Sequence, residues 1–370
     1  MRSKSKKRVS PHEKQARSCP EMNRRHFLKA TGATLATAAL NFGPAACSST
    51  PEVLPAAYVP SGTATVGIVG GGDIEKMVRD AISLAGGLND ITNGQTVVIK
   101  PNITAKGSRP IYTHPEVIRA VIRAVGDRTD RSNITVAEAS AYGLPTQFWA
   151  ERMGLLDIIE EEGANFLAWE KGEYVTVPSP SYVHLRFNPR MPKTLMDGSV
   201  DHLVNVPILK NHETVPWANV EYTACIKNHV GTLHPGDRLF TSEGIMGIHT
   251  EDLGEICAEL NLAIPSQPMN VVDALSVILT GGPASISMEM DEPGLILASK
   301  DRVGCDSAAV AVLKHYAIEN GIDRPYVERS VWDQAQIRRA QELNLGRPKE
   351  QIEIAHQGVE NISDILGQWV

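Results

Sequence analysis

The chain has 370 residues, of which 42% are hydrophobic, 21% charged and 5% aromatic, values that are ordinary for a globular protein with a mainly aliphatic core. Its net charge of −7 hides an asymmetry, because residues 1–29 contain ten basic and two acidic side chains and the remainder has a formal charge of −15. A body this acidic repels polyanions, so we expect no nucleic acid among its partners.

The N-terminal segment has the features of an export signal. Residues 23–29 read Asn-Arg-Arg-His-Phe-Leu-Lys, which resembles the twin-arginine signal family, and a mildly apolar stretch follows at residues 30–40. Met22 stands directly before this motif and is an alternative start site to Met1. We predict that the twin-arginine translocation machinery exports the protein, and we set residues 1–46 apart from the fold as a signal segment.

The residues that follow allow two modes of signal cleavage. Ala45, Ala46 and Cys47 resemble a lipoprotein cleavage box, although Pro44 replaces its usual aliphatic residue, whereas plain cleavage at an Ala-x-Ala-like site would release a soluble periplasmic protein. Residues 47–63 are predicted to form a tether. No apolar run reaches the roughly 18–20 residues of a membrane span, so the expected membrane contact is through the signal or a lipid on Cys47.

The five cysteines are Cys19, Cys47, Cys225, Cys257 and Cys305. None of them forms a CxxC pair, so we expect no iron-sulfur cluster and no zinc ribbon from this chain. The last three allow one disulfide at most, and buried free thiols are the expectation for them.

From residue 64 onward, strand and helix patterns alternate. The predicted strands are residues 65–69, 96–99, 134–137, 203–209, 271–273, 295–298 and 352–355, and the predicted helices are residues 74–84, 114–125, 146–162, 251–264, 303–317 and 336–343. This order predicts an α/β fold with a mainly parallel sheet covered by helices, in a single domain over residues 64–370. The Pro-rich residues 170–200 predict an irregular insertion.

Polar side chains follow four of the predicted strands at their carboxyl ends, which is where open α/β sheets bind ligands. They are Lys100 and Asn102, then Glu138, then Lys210 and His212, and finally Asp273. We predict that Lys100, Lys210 and His212 converge in one cleft with Lys227 and Asp301, although these five residues lie far apart in sequence.

The densest polar stretch runs from residue 210 to residue 252. It contains two Lys-Asn-His triplets, at 210–212 and 227–229, followed by Arg238 and His249. Histidines beside carboxylates are typical metal ligands, whereas lysine and arginine suit a phosphate or a carboxylate. No compact motif such as HExxH is present, so a divalent metal, a small anion and solvated loop charges are three open interpretations.

The two triplets predict a reversal of the chain. Seventeen residues separate Lys210 from Lys227, and an extended strand of that length would span on the order of 55 Å, too far for one pocket. We therefore expect a hairpin or short helical return with a turn at Pro216. Two lysines brought together repel each other unless an anion or an acidic side chain neutralises them.

Three blocks of the body resemble the family of domain of unknown function 362. The blocks are residues 97–102 (Val-Val-Ile-Lys-Pro-Asn) with 113–117, residues 204–212 with 225–231 (Cys-Ile-Lys-Asn-His-Val-Gly), and residues 281–283 with 298–306. In the last block Arg302 and Gly304 depart from the usual Asp-Pro-Val-Ala-x-Asp, while both aspartates remain. The resemblance implies one α/β domain with a polar site made of Lys100, Asn102, Lys210, His212, Lys227, Asn228, Asp301 and Asp306.

Some relatives in that family carry ferredoxin-type cysteines, which this chain lacks, so we do not expect an electron-transfer role for it.

The first functional hypothesis is an enzyme, dependent on a metal or an unknown cofactor, that acts on a small anionic substrate. In it the catalytic residues would be His212, His229 and Lys227, the substrate-binding residues Lys100, Asn102, Lys210, Asn228 and Arg238, and the metal-binding residues Glu138, His249, Asp273, Asp301 and Asp306.

The second hypothesis is a non-catalytic protein that binds a small molecule or cofactor in the periplasm or at a lipid anchor. It would use the same lysines but would need no histidine as a general base. The substrate cannot be read from the sequence under either hypothesis.

Overall fold

The alternation of strands and helices is present in the computed structural model, which describes residues 62–104, 110–140, 145–213, 218–239, 247–282 and 288–369. The predicted signal segment, Cys47, the tether up to residue 61 and the expected turn at Pro216 lie outside these residues.

Thirteen strands occur in the described part of the chain. They are β1 (Ala64–Gly70), β2 (Val97–Pro101), β3 (Ile134–Glu138), β4 (Asn165–Ala168), β5 (Tyr174–Thr176), β6 (Arg190–Pro192), β7 (His202–Val206), β8 (Ile208–Asn211), β9 (Tyr222–Thr223), β10 (Met269–Thr280), β11 (Glu289–Asp291), β12 (Leu295–Ser299) and β13 (Ile352–Gln357).

Twelve α-helices accompany them over the same described ranges. They are α1 (Ile74–Leu84), α2 (Pro115–Gly126), α3 (Thr146–Arg152), α4 (Leu155–Glu161), α5 (Lys193–Met196), α6 (Cys225–Asn228), α7 (Pro235–Leu239), α8 (Leu253–Leu260), α9 (Arg302–Glu319), α10 (Pro325–Glu328), α11 (Ala335–Glu342) and α12 (Ile362–Gln368).

Eleven of the strands form one mixed sheet, whose main path is β13-β1-β12-β10-β7-β2-β3-β4. From β10 through β7, β2 and β3 to β4 every neighbour is parallel, as is the pair β1–β13. β12 is antiparallel to both of its neighbours, β1 and β10. It follows the β10–β11 hairpin, and a short connection of this kind favours antiparallel pairing. The predicted α/β fold with a mainly parallel sheet is confirmed.

Helices cover both faces of the sheet because strand side chains alternate between the faces. On one face Val78 of α1, Val121 of α2 and Ile99 of β2 belong to the same buried cluster. On the other face Val98 of β2 shares a cluster with Val310 of α9. In the described part of the chain we find no helix with both the length and the apolar character needed to cross a membrane.

Two predicted elements are divided in the structure. The apolar run at 203–209 becomes β7 and β8, because Pro207 has no N–H to donate to a neighbouring strand. The helical pattern at 146–162 becomes α3 and α4, separated by Gly154 with φ at 70°, a left-handed conformation that glycine adopts without strain.

The Pro-rich insertion contains a small antiparallel sheet of β5 and β6, together with α5. The buried carboxylate of Glu259 in α8 connects this insertion to the rest of the fold by hydrogen bonds. This carboxylate accepts the backbone N–H groups of Val183, His184 and Leu185 at 2.9–3.2 Å, and Nη2 of Arg339 lies 2.7 Å from its Oε1. The irregular segment is therefore held by one charged residue that lies more than 70 positions away in sequence.

Candidate functional site

A cavity of about 70 Å³ lies at the carboxyl ends of β2, β3 and β8. Because β2 and β3 are parallel neighbours, their ends bring residues that follow them to the same edge of the sheet. The polar side chains that line the cavity are those of Asn102, Thr104, Glu138, Lys210, His212, Thr223, Lys227, Asn228 and Arg238. Seven of the thirteen predicted site residues are therefore brought together, and Thr104 and Thr223 are added to them.

The chain reverses between the two lysines, as their spacing predicts. β8 and β9 pair antiparallel, with Lys210 opposite Thr223 and Asn211 opposite Tyr222. Helix α6 begins two residues after β9 and carries Lys227. The positive charge of Lys227 lowers the pKa of Lys210, second to the effect of burial. The hairpin is thus what makes the two amines neighbours.

A buried ion pair lies beside the cavity. Nζ of Lys100 is 2.6 Å from Oε2 of Glu138, and both side chains are almost completely buried. Burial lowers the pKa of Lys100 and raises the pKa of Glu138, while their mutual attraction opposes both shifts. Such a pair is stable only while both partners remain, because each alone is a buried charge without compensation.

Gly231 makes the space for this pair. A Cβ at position 231 would lie 1.8 Å from Oε1 of Glu138 and 2.7 Å from Nζ of Lys100. The carbonyl of Gly231 also accepts the backbone N–H of Ala139 at 3.1 Å. The glycine of the segment Lys-Asn-x-x-Gly is therefore required by close approach of the backbone to a charged pair.

A chain of hydrogen-bonded side-chain amides leads away from the amine of Lys210. Nζ of Lys210 donates to Oδ1 of Asn102 at 2.9 Å, and Nδ2 of Asn102 donates to Oδ1 of Asn228 at 3.0 Å. Nδ2 of Asn228 donates in turn to Oδ1 of Asn205 at 2.8 Å, and Nδ2 of Asn205 donates to Oδ1 of Asn270 at 3.1 Å. This network fixes the orientation of Asn102 and Asn228, which are two of the predicted ligand-binding residues.

Asp306 positions the short helix that carries Lys227. Its Oδ1 accepts the backbone N–H of Cys225 at 2.6 Å and that of Ile226 at 3.3 Å, at the start of α6. Its Oδ2 accepts the hydroxyl of Tyr222 at 3.1 Å. Burial raises the pKa of Asp306 to about 7. The role of this predicted metal ligand in the described structure is to satisfy the first amides of a helix.

Lys227 is the amine that faces the cavity without a partner. Its side chain is 9% exposed and lines the cavity, yet its Nζ has no hydrogen bond and no ion pair with any residue that the structure describes. Burial lowers the pKa of Lys227; Cys257 opposes this shift, and the positive charges of Arg238 and Lys100 add to it. The site thus contains a buried amine with no acceptor within the described residues, and its surroundings disfavour the charged form while no anion is bound.

Arg238 adds a second cation that lacks a carboxylate partner within ion-pair distance in the described ranges. Its Nη2 donates to the backbone carbonyls of Ala139 at 2.6 Å and Leu233 at 3.0 Å, so the guanidinium is held by neutral groups. Burial lowers its pKa, and the charge of Glu138 opposes that shift. The cavity and the adjacent ion pair therefore bring together four basic side chains, those of Lys100, Lys210, Lys227 and Arg238, and one carboxylate, that of Glu138, so basic groups outnumber acidic ones at the site.

The histidines differ in position. His212 lines the cavity, and burial together with the charges of Lys227 and Lys210 holds its pKa well below 6.5, so its imidazole is neutral at pH 7. His249 donates from Nδ1 to the carbonyl of Arg238 at 2.7 Å. His229 is completely buried and is not among the cavity-lining residues. Of the two triplet histidines, His212 therefore lines the cavity and His229 does not.

The five predicted metal ligands are not brought together. Asp301 caps α9, accepting the N–H of Gly304 at 2.7 Å, and also accepts the N–H of Arg347 at 2.8 Å. Asp273 accepts the N–H of His114 at 2.7 Å. Over the described residues no three His, Cys, Asp or Glu side chains are grouped so as to hold a metal ion. A divalent metal stays a prediction, and the prediction that Asp301 shares the cleft is wrong, because its oxygens cap α9.

Four residues of the site escaped the sequence analysis. Thr104 and Thr223 line the cavity, and the buried hydroxyl of Thr223 has no hydrogen-bond partner among the described residues. Asn205 and Asn270 continue the amide chain. Asn205 interrupts an otherwise apolar strand, and a buried polar residue in such a place is a signal that could have been used. The three cysteines Cys225, Cys257 and Cys305 are buried and unpaired, as expected.

Comparison with known proteins gives two matches to family models. Residues 97–311 match the model described as domain of unknown function DUF362, and residues 21–40 match that of the twin-arginine translocation (TAT) pathway signal sequence. No curated protein and no solved structure matches the chain. The first matched region contains the residues of the cavity, of the amide chain and of the Lys100–Glu138 pair.

Proposed function

The chain belongs to the DUF362 family and carries a twin-arginine signal for export, and from this premise we propose that it is an exported protein that binds a small anionic ligand at Lys227. The observation that carries the proposal is that Lys227 is 9% exposed at the cavity wall and that its Nζ has no acceptor among the described residues. A buried charge is costly unless it is paired, so a bound anion would favour the charged form of this amine and be held by it.

The neighbouring charges support the same ligand. Lys210 and Arg238 also line the cavity, and Glu138 is already engaged by Lys100. An anion at this place would interact with several cations at low dielectric and would relieve their mutual repulsion. A cavity of about 70 Å³ has room for a few water molecules or for one phosphate or carboxylate group, since a water molecule requires about 10–15 Å³ on this measure.

The test is a calorimetric titration of the exported, full-length protein with sodium phosphate and with sodium lactate. We expect saturable binding of at least one of the two anions, loss of that binding in Lys227→Met, and unchanged binding in Lys193→Met. Lys193 is a matched control because it is half exposed and paired with Glu173 on the surface. Binding of neither anion, or equal binding by Lys227→Met and the wild type, would contradict the proposal.

A second candidate function is catalysis with His212 as general base. It is favoured by the neutral imidazole of His212 at the cavity, since a neutral imidazole can accept a proton at pH 7. The cations around it would stabilise negative charge that develops on a substrate. Exchange of carbon-bound hydrogen of lactate or pyruvate with deuterated solvent, followed by proton NMR, tests this function. Exchange by the wild type that is lost in His212→Asn would support it, and exchange by neither protein would reject it.

We infer further that a lipid on Cys47 anchors the exported protein. The support is the sequence Ala-Ala-Cys-Ser-Ser at residues 45–49, in which small residues precede the cysteine. The wild type should then appear in the membrane fraction and Cys47→Ser in the soluble periplasmic fraction. A wild type that is soluble after export would show that the signal is removed by plain cleavage.

A further inference from the structure

The three lysines of the site differ in how their amines are used. Lys100 is paired with Glu138 at 2.6 Å, and Lys210 donates to Asn102 at 2.9 Å. Lys227 is the one whose Nζ makes no hydrogen bond or ion pair within the described ranges, although it is 9% exposed and lines the cavity. An amine that is buried, reachable from a cavity and not committed to an acceptor can react with a bound ligand.

We propose that Lys227 is a covalent catalytic residue whose amine forms an imine with the carbonyl carbon of a small 2-oxo carboxylate. This inference rests on the proposed function, because the carboxylate of that compound is the anion that the site binds. It restricts the expected class of ligand from small anions in general to small anions that contain a carbonyl group.

The carboxylate and the carbonyl would have separate partners. The guanidinium of Arg238 is fixed by the carbonyls of Ala139 and Leu233, and its planar fork matches a carboxylate. The hydroxyl of Thr223, with 2% of the residue exposed, has no hydrogen-bond partner within the described part of the chain and can donate to a ligand oxygen. Together they would hold the ligand while its carbonyl carbon meets Nζ of Lys227.

The step balances without an oxidant or a reductant. The unprotonated Nζ of Lys227 attacks the carbonyl carbon, a C–N bond forms, and the C=O π electrons move to the oxygen. His212 takes each of the two protons that the nitrogen gives up and passes it to that oxygen, which leaves as water. The amine and the ketone thus become an imine and one water molecule.

The surroundings of Lys227 favour the unprotonated amine that this step needs. Burial disfavours its ammonium form most strongly, and the charges of Arg238 and Lys100 act in the same direction, against an opposing effect of Cys257. A lysine beside other cations in a dry pocket is one of the known ways to activate an amine as a nucleophile.

Reductive trapping tests the inference. The exported full-length protein is incubated with sodium pyruvate, treated with sodium cyanoborohydride and digested for peptide mass mapping. We expect one reduced pyruvyl group on Lys227, its suppression by excess lactate, and no adduct on the exposed Lys193. An adduct confined to Lys210 or to exposed lysines would overturn the assignment of Lys227.

Calorimetry and trapping on the same wild-type protein separate this inference from the proposed function. Lys227→Arg cannot form an imine, so it should show no adduct at position 227 after the same treatment. If the wild type binds lactate but pyruvate is never trapped on Lys227, the imine is refuted and anion binding stands. If the wild type binds neither lactate nor phosphate, the proposed function itself fails. Peptide mass mapping of the trapped wild-type protein shows whether the imine forms at Lys227, even if the arginine variant does not fold.

Discussion

The α-carbon of Gly231 lies so close to the carboxylate of Glu138 that a Cβ at position 231 would be 1.8 Å from Oε1. That carboxylate is also the partner of the buried Lys100. A helical turn that follows the reactive lysine is therefore in van der Waals contact with the ion pair at the sheet edge. Any side chain at position 231 must displace either the turn or the pair.

We accordingly expect Gly231→Ala to lower the free energy of unfolding by about 2–5 kcal/mol, because overpacking costs roughly 1–3 kcal/mol and a disturbed buried ion pair adds to it. Urea denaturation measures the change. Gly367→Ala is the control, since a Cβ at position 367 meets nothing within 4 Å. If Gly231→Ala were as stable as Gly367→Ala, the close approach would not be a constraint on the fold.

Lys227→Met should make the ligand-free protein more stable, by roughly 1 kcal/mol, because it replaces an unbalanced buried cation with an apolar side chain of similar length. Phosphate should then raise the melting temperature of the wild type and leave that of the variant unchanged. Thermal unfolding with and without sodium phosphate measures both effects. A variant that is less stable than the wild type in the absence of phosphate would show that the amine is structural.

Asp306 should make stability depend on pH. Because burial raises its folded-state pKa from 3.8 to about 7, the folded protein holds this proton more tightly than the unfolded chain does. The stabilisation is complete below pH 3.8 and is lost as the pH rises through about 7, by up to about 4 kcal/mol. Denaturant unfolding from pH 4 to pH 8 should show this decline in the wild type and a flatter profile in Asp306→Asn. If the free energy of unfolding depended on pH in the same way in both proteins, Asp306 would not be the source of the pH dependence.

Glu259→Gln should loosen the Pro-rich insertion. The amide keeps one acceptor oxygen for the amides of residues 183–185 but loses the charge that pairs with Arg339, and we expect a loss of about 2–4 kcal/mol. Limited proteolysis should cut the insertion faster in this variant. Glu342→Gln is the control, because Glu342 pairs with the same arginine at an exposed position. Equal cleavage rates for both variants would contradict the anchoring role of Glu259.

Most of the secondary structure follows from local patterns. Helices α1 and α2 are predicted from apolar spacing that begins after Asp73 and at His114-Pro115, and both residues cap their helices in the structure. The direction of β12 and the full length of β10 could not be predicted, since both depend on strand pairing between distant segments. Proline and glycine explain the divided elements at Pro207 and Gly154.

The position of the site in the fold was predictable from the sequence, but the roles of its individual residues were not. Lys100, Glu138 and Lys210 were placed correctly at strand ends, because the carboxyl edge of a parallel sheet collects such residues. Asp301 and Asp306 accept hydrogen bonds from segments that are 46 and 81 residues away, at Arg347 and at Cys225 respectively. A carboxylate that caps a helix and one that binds a metal look the same in sequence.

The pairing of β1 has a consequence for the order of events during synthesis. β1 directly follows the export segment and tether in the chain, yet its two neighbours in the sheet are β12 and β13, at residues 295–299 and 352–357. A ribosome that has just released β1 has not yet made either of them. β1 cannot pair with β12 before translation has passed residue 299, and its pairing with β13 must wait until residue 357 has been made, so this part of the sheet is completed only after nearly the whole chain has been synthesised.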